Sequence, residues 1–259
     1  MNEFGKKLQR WMLPLTVLAI WAVGSQLGLW NRFLIPSPLE VARVCIRLLF
    51  TGELTRHVLV SLGRVGAGFA MAFCLAFPLA ALLGMQRKYF DWVNPTLEFI
   101  RHIPPLAAIP MLILWFGIGE APKILVVILA TFFPIFLNTL HGIIQCDERL
   151  IEVGKSFQLS QWNIFRRIIL PAALPSLLVG MRLGLGYSWR AIVGAELIAA
   201  SSGIGYMILD AEQLSRPDVV VLGMLIIGIV GSFVDWVFFR LAKNVTPWTE
   251  KEAVDHASY

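Results

Sequence analysis

The chain is 259 residues long, 57% hydrophobic and 15% charged, with a mean hydropathy of +0.71 and a formal net charge of +5. Soluble domains carry about a quarter charged residues, so this composition excludes a water-soluble domain and indicates an integral membrane protein.

Residues 1–10, with Lys6, Lys7 and Arg10, precede a first charge-free stretch, Trp11–Asn31. That stretch is too long for the apolar core of a cleaved signal and ends without a small-x-small cleavage site, so it is expected to remain as a span. A helix rising 1.5 Å per residue needs about 20 apolar residues to cross about 30 Å of hydrocarbon. Pro36-Ser37-Pro38-Leu39-Glu40 then offers a serine N-cap with proline at the first helical position, and Val41, Val44, Cys45 and Leu48 follow at helical spacing. This segment predicts a separate amphipathic helix on the outer surface.

Three further stretches lack charge, Val65–Gln86, His102–Gly119 and Ile124–Cys146. The middle one contains Pro104, Pro105 and Pro110 in its first half, which break the hydrogen-bond ladder there. Such distortion is tolerated where protein or water satisfies the freed carbonyls, so this helix is expected inside the bundle with Pro105 near the path. Trp115 and Phe116 near its outer end fit either a stacking gate or an interfacial aromatic belt. Two later apolar stretches, about Ala172–Ala200 and Val219–Phe239, carry Arg182, Arg190 and Glu196 in the first and Asp235 in the second. Spans are thus placed at 11–31, 62–86, 102–119, 123–145, 172–200 and 219–239. The fold class is all-α: a polytopic membrane protein of about six transmembrane helices, with one transmembrane domain over 11–240 and a tail over 241–259.

Lys and Arg are more abundant on one side of these spans. Lys6, Lys7, Arg10, Arg87, Lys88, Arg101, Arg149, Lys155, Arg166, Arg167, Arg240, Lys243 and Lys251 outnumber Arg32, Arg43, Arg47, Arg56, Lys123 and Arg216. Positive charge stays preferentially inside, which places both termini and the loop 147–170 in the cytoplasm.

Motifs for membrane-embedded hydrolysis, H-E-x-x-H, G-x-S-x-G with a reachable histidine, or paired intramembrane aspartates, do not occur. Gly154-Lys155-Ser156 ends like a phosphate-cradling loop, but Arg149 stands where that loop needs its first glycine and no short buried strand precedes it. Cys45, Cys74 and Cys146 fall in different segments and give no disulfide framework or metal site. His57, His102, His141 and His256 are too scattered for ligands and are expected at interfaces or in solvent. No enzyme activity and no cofactor of the chain's own are expected, nor any nucleic-acid partner.

The fifth span mixes Gly180 and Gly184, four apart and suited to close helix approach, with Arg182, Tyr187, Arg190 and Glu196. Arginine at membrane depth is expensive and must face a cavity, a bundle interior or a carboxylate. Pairing of Arg190 with Glu196 or Asp235, snorkelling of Arg182, and a cationic lining for an anionic solute all satisfy this requirement. Between the fourth and fifth spans, Leu150, Val153 and Phe157 recur at helical spacing with Gly154 on their side. Ser160 then caps a second short helix in which Ile164, Phe165, Ile168 and Ile169 form a stripe before Pro171 begins the next span. Phe157, Trp162 and Phe165 among charges fit a surface buried against a partner protein, or a helix lying on the bilayer.

Several of these stretches resemble the permease subunits of bacterial binding-protein-dependent ABC importers. Their cytoplasmic loop pattern, E-A-A-x-x-x-G-x(9)-I-x-L-P, is matched by Glu152 and by Ile168-Ile169-Leu170-Pro171, with Val153 and Gly154 in place of the alanines and Gln158 in place of glycine. The stretches Leu34-Ile35-Pro36-Ser37-Pro38, Ile103-Pro104-Pro105-Leu106, Leu114–Gly119, Pro171–Pro175, Gly180–Gly186 and Ala195–Tyr206 resemble the aliphatic sulfonate, taurine and nitrate branch, the aliphatic sulfonate permeases most of all. The resemblance implies a type I importer-like permease in the bacterial inner membrane. It also implies a second copy of the chain, two cytoplasmic ATPase subunits that bind ATP and Mg, and an extracytoplasmic solute-binding protein. Glu152, Val153, Gly154, Phe157, Gln158, Leu159, Ser160, Trp162 and Phe165 would form the ATPase-coupling segment. Pro105, Trp115, Arg182, Tyr187, Arg190 and Glu196 are the candidates for the translocation path. An aliphatic sulfonate is the expected solute, with taurine, nitrate, bicarbonate or a small heterocycle as alternatives. An ion-coupled secondary transporter would use Arg182, Arg190, Glu196 and Asp235, but the internal repeats usual in such folds are absent.

Overall fold

The computed structural model describes residues 3–31 and 33–246, with the side chains of 3–11 and of Arg87 outside the description. His256, the side chains of Lys6, Lys7 and Arg10, and most of the expected tail therefore lie outside the described residues.

Helices account for the architecture, and no strand occurs among the described residues: α1 (Glu3–Gln26), α2 (Pro38–Phe50), α3 (Glu53–Met85), α4 (Arg87–Arg101), α5 (Ile109–Phe116), α6 (Glu120–Ile144), α7 (Glu148–Ser156), α8 (Gln161–Ile164), α9 (Leu170–Ala199), α10 (Ile204–Gln213) and α11 (Pro217–Val245). They divide into two units, one of Met1–Val60 with Ser201–Ile229 and one of Ser61–Ala200 with Val230–Tyr259.

Among the described residues, four helical bodies are long and apolar enough to cross a membrane: α3, α6, the run Gln161–Ala199, and α11. The expected third span differs from a straight helix. Pro104 is extended, Pro105–Ala108 makes one 3-10 turn, and α5 adds only eight residues, at 82° to α4. Proline at 104, 105 and 110 removes donors and rules out a continuous ladder, so α4 and the segment 105–116 form a broken pair that counts at most as a fifth span. The expected first span is also shorter, because α1 ends at Gln26 and Gly28 turns the chain with φ +68°, leaving Met12–Gln26 as its described apolar part.

In the first unit, α2 begins as its sequence requires. Ser37 Oγ accepts from Glu40 N at 3.2 Å, Ser37 N donates to Glu40 Oε2 at 2.7 Å, and Val41, Val44 and Leu48 are buried. His57, expected at an interface or in solvent, is instead buried, and its Nδ1 accepts from Gly203 N at 3.0 Å where α10 starts. Helix α10 itself had no expected counterpart; its buried Ile204, Met207 and Ala211 make one stripe in a ten-residue segment whose only charged or amide residues are Asp210, Glu212 and Gln213.

In the second unit α6 and α9 pack through the expected small residues. A Cβ at Gly180 would lie 2.7 Å from the Pro134 carbonyl oxygen, and one at Gly184 would lie 3.2 Å from Thr131 Cγ2. Backbone cannot move aside, so glycine at 180 sets the distance between the helices. Ala76, Ala80, Leu83, Ile135, Phe136, Leu140 and Leu177 fill the adjoining core. Ile143, Cys146, Ile164, Phe165, Ile169 and Ala173 form a second cluster beneath the loop between α6 and α9.

Candidate functional site

The loop between α6 and α9 is built by local rules. Asp147 caps α7 through Oδ1, which accepts from Arg149 N at 2.9 Å, and Ser160 Oγ accepts from Asn163 N at 3.3 Å at the start of α8. Helix α7 closes with paired bonds, Gln158 N to Lys155 O at 2.8 Å and Leu159 N to Gly154 O at 3.1 Å, the Schellman pattern that needs a left-handed residue. Gln158 supplies that residue at φ +53°, so the turn forms with glutamine where the resembling family has glycine.

The loop's two faces differ from the expected arrangement in two places. Gly154 does not share the side of Leu150, Val153 and Phe157. It is buried, with its Cβ direction 2.7 Å from Ile168 Cδ1, while the other three are at least half exposed. Phe165 is also buried, at 6% exposure, inside the cluster below the loop, and only its ring neighbour Trp162 reaches the surface, at 66%. The exposed face therefore consists of Leu150, Val153, Phe157 and Trp162, with Glu152, Lys155 and Gln158 beside them and Leu159 half-buried behind.

The second short helix is not a separate element. After Ile164 the chain passes through a π turn, Phe165–Ile169, and runs on into α9 without a break. Leu170 N donates to Phe165 O, five residues back. Pro171 follows at once and cannot donate to Arg167 O, so a local change of hydrogen-bond period keeps the helix intact ahead of a proline.

In α9 the two arginines part company. Arg182 donates from Nε and Nη2 to the two carboxylate oxygens of Asp235 on α11, at 2.8 and 2.7 Å, and its guanidinium lies 5.1 Å over the Phe239 ring. Pairing with Asp235 was expected of Arg190, and Arg182 makes it instead. Arg190 pairs with neither Glu196 nor Asp235. It donates weakly to Gly186 O at 3.2 Å, lies 5.0 Å over the Tyr187 ring, and is exposed in a groove of about 370 Å³ that Trp189, Gly231, Ser232 and Asp235 also line. Pro105 is half-buried and Trp115 is 67% exposed; neither lines this groove.

Glu196 is fully buried and has a different partner from those expected. Arg64 on α3 donates from Nη1 to Glu196 Oε1 at 2.7 Å and from Nε and Nη2 to Glu120 at 2.6 and 2.7 Å. Ser61 Oγ reaches both Glu196 oxygens at 2.8 and 2.9 Å, and Lys123 Nζ donates to Glu120 Oε1 at 2.7 Å. Arg64 and Lys123 are buried, whereas Glu120 is about half exposed. Two cations, two carboxylates and a hydroxyl thus tie α3, α6 and α9 together, each buried charge facing its opposite.

Residues 72–251 match the family described as binding-protein-dependent transport system inner membrane component. The chain belongs to this family. A protein named for aliphatic sulfonates transport, the permease SsuC of Bacillus subtilis strain 168, is 37% identical over 248 residues, 94% of this chain and 90% of that one. Its namesake in Escherichia coli K12 is 38% identical over 225 residues, 87% of this chain and 86% of that one. A chain in a solved structure of the MetNI methionine ABC transporter, in inward facing conformations, superposes with a TM-score of 0.63 over 75% of this chain and 96% of its own, at 20% identity. The family membership agrees with the fold: a mostly helical, multi-pass inner membrane component.

Ser61, Arg64, Glu120 and Lys123 were absent from the sequence-derived candidates of this family member. A signal did exist: Arg64 is a lone charge between Val58 and Gln86, and Glu196 is a lone carboxylate in the fifth span. Two isolated opposite charges at membrane depth call for each other.

Proposed function

We propose that the chain is the membrane-spanning subunit of an ATP-driven importer and forms, with a second copy, the path for a small organic anion, an aliphatic sulfonate. The observation that carries this reading is 37% identity over nearly the whole chain with a permease named for aliphatic sulfonates. Arg190 supports an anionic solute, because it is a cation well inside the expected fifth span, exposed in a groove and without a carboxylate partner among the described residues. The exposed face of Leu150, Val153, Phe157 and Trp162 suits a cytoplasmic ATPase subunit as its cover.

In this reading an extracytoplasmic binding protein delivers the solute, and ATP and Mg are bound by the partner subunits. ATP-driven closure of the two ATPases carries the paired loops together, and the helical bundles rock between inward-facing and outward-facing arrangements. The chain itself hydrolyses nothing. The test is uptake of an alkanesulfonate by liposomes containing the chain with its ATPase and binding protein. Uptake requires ATP, both partners and Arg190, and an Arg190→Ala variant loses at least tenfold in rate. Uptake by the chain alone overturns the reading.

A further inference from the structure

Helix α2 has three faces, although an amphipathic helix packed on a core needs only two. Val41, Val44 and Leu48 are buried. Leu39, Ile46 and Phe50, spaced by seven and four residues, share another side and are 60%, 54% and 89% exposed, with Leu49 beside them at 52%. Arg43 and Arg47, one turn apart, flank this apolar strip and are also exposed. Among the described residues neither arginine has a carboxylate within ion-pair distance.

One end of α2 is tied to an apolar helix of its own unit, and the other runs on in sequence into α3. Pro36 O, one residue before the N-cap, accepts from the indole Nε1 of Trp21 on α1 at 2.9 Å. Tryptophan with its ring in apolar surroundings and its N–H in use is the side chain that collects at the boundary between hydrocarbon and headgroups. At the other end only Thr51 and Gly52 separate α2 from α3, a helix long and apolar enough to span. That bond and the two-residue connection keep α2 close to the ends of two apolar helices. A strip of Leu39, Ile46, Leu49 and Phe50 covers itself by sinking about 5–10 Å into that boundary, while flanking arginines stay at the level of the phosphates.

We propose that the exposed face of α2 is a binding surface for anionic phospholipid, with the apolar strip among the acyl chains and Arg43 and Arg47 on the headgroup phosphates. The arginines that weaken the positive-inside signal thereby acquire a reason to sit where they do: they are held by phosphate.

The test uses the full chain in nanodiscs of phosphatidylcholine, with and without phosphatidylglycerol. A bimane label is placed at Ile46→Cys after Cys45 and Cys74 are changed to alanine. Cys146 is buried, and burial, aided by Asp147, pushes its thiol pKa up, so it stays unlabelled at neutral pH. Nitroxide-bearing lipid is expected to quench the bimane and aqueous iodide is not. Phosphatidylglycerol is expected to raise the thermal midpoint, and the amount needed for half the rise increases about fivefold for each arginine removed by Arg43→Gln or Arg47→Gln. Quenching by iodide and not by lipid overturns the proposal, whatever the arginine variants do. So does a label that escapes both quenchers only after an extracytoplasmic binding protein is added, since the cover is then a protein. A phosphatidylglycerol response unchanged in the double variant also overturns it.

Discussion

Arg64 is the residue on which most of the buried charge depends. Glu120 keeps water and Lys123 whatever happens to Arg64, but Glu196 has no exposed surface, and losing the guanidinium strands its carboxylate. Removing one partner of a buried pair costs about 3–5 kcal/mol. Arg64→Met is accordingly expected to lower the thermal midpoint in detergent strongly, and adding Glu196→Met to recover much of the loss; a midpoint equally low in the double variant would show that the site is held by packing instead. Gln158 illustrates a smaller effect. A side chain at φ +53° costs about 1 kcal/mol that glycine avoids, partly offset by glycine's freedom in the unfolded chain. Gln158→Gly is expected to gain about 0.5 kcal/mol, read as slower hydrogen exchange of the Leu159 amide, whose bond to Gly154 O closes the turn.

At the scale of elements, the loop from α7 to the π turn separates side chains that hold it together from side chains that face outward. Phe165 belongs to the first group, and Phe165→Ala is expected to cost about 3–5 kcal/mol. Phe157 and Trp162 belong to the second, and their alanine variants are expected to stay within about 0.5 kcal/mol of the parent while losing solute-stimulated ATP hydrolysis in the assembled transporter. Glu152→Lys, also exposed, is expected to leave the chain in the membrane and abolish the same stimulation. The helix starts at Ser37 and Ser160 were legible, because each serine caps through a bond only three residues long, whereas the cap at Asp147 was not anticipated. The burial of Gly154 was not legible. It depends on Ile164 and Ile168, beyond the turn at Gln158, packing back onto α7, a contact that no spacing within α7 anticipates. Phe165 falls with Ile164 and Ile169 in the buried stripe, and its aromatic character alone had suggested an outward face.

For the whole molecule, composition and charge-free runs were enough to give an all-helical, multi-pass protein, and a set of motifs spread along the chain pointed to its family. What they left out was the bend of 82° in the third stretch, the short helix α10 between the last two spans, and the partner of Glu196, which lies on α3 instead of on its own helix. Each of Arg64 and Glu196 stands out locally as a lone charge, but they are 132 positions apart and nothing between them says which charge each meets. The lysine and arginine bias predicts that a fluorescent protein fused after Val245 matures in the cytoplasm; a dark fusion that instead gains activity with a periplasmic reporter would invert the topology. The uninterrupted run from Gln161 to Ala199 is 39 residues long, about 58 Å of helix. Along that strut the π turn at Phe165–Ile169 and Pro175 are the places where the helix can bend, so force applied at Trp162 reaches the neighbourhood of Glu196 reduced by any flexing at those two points.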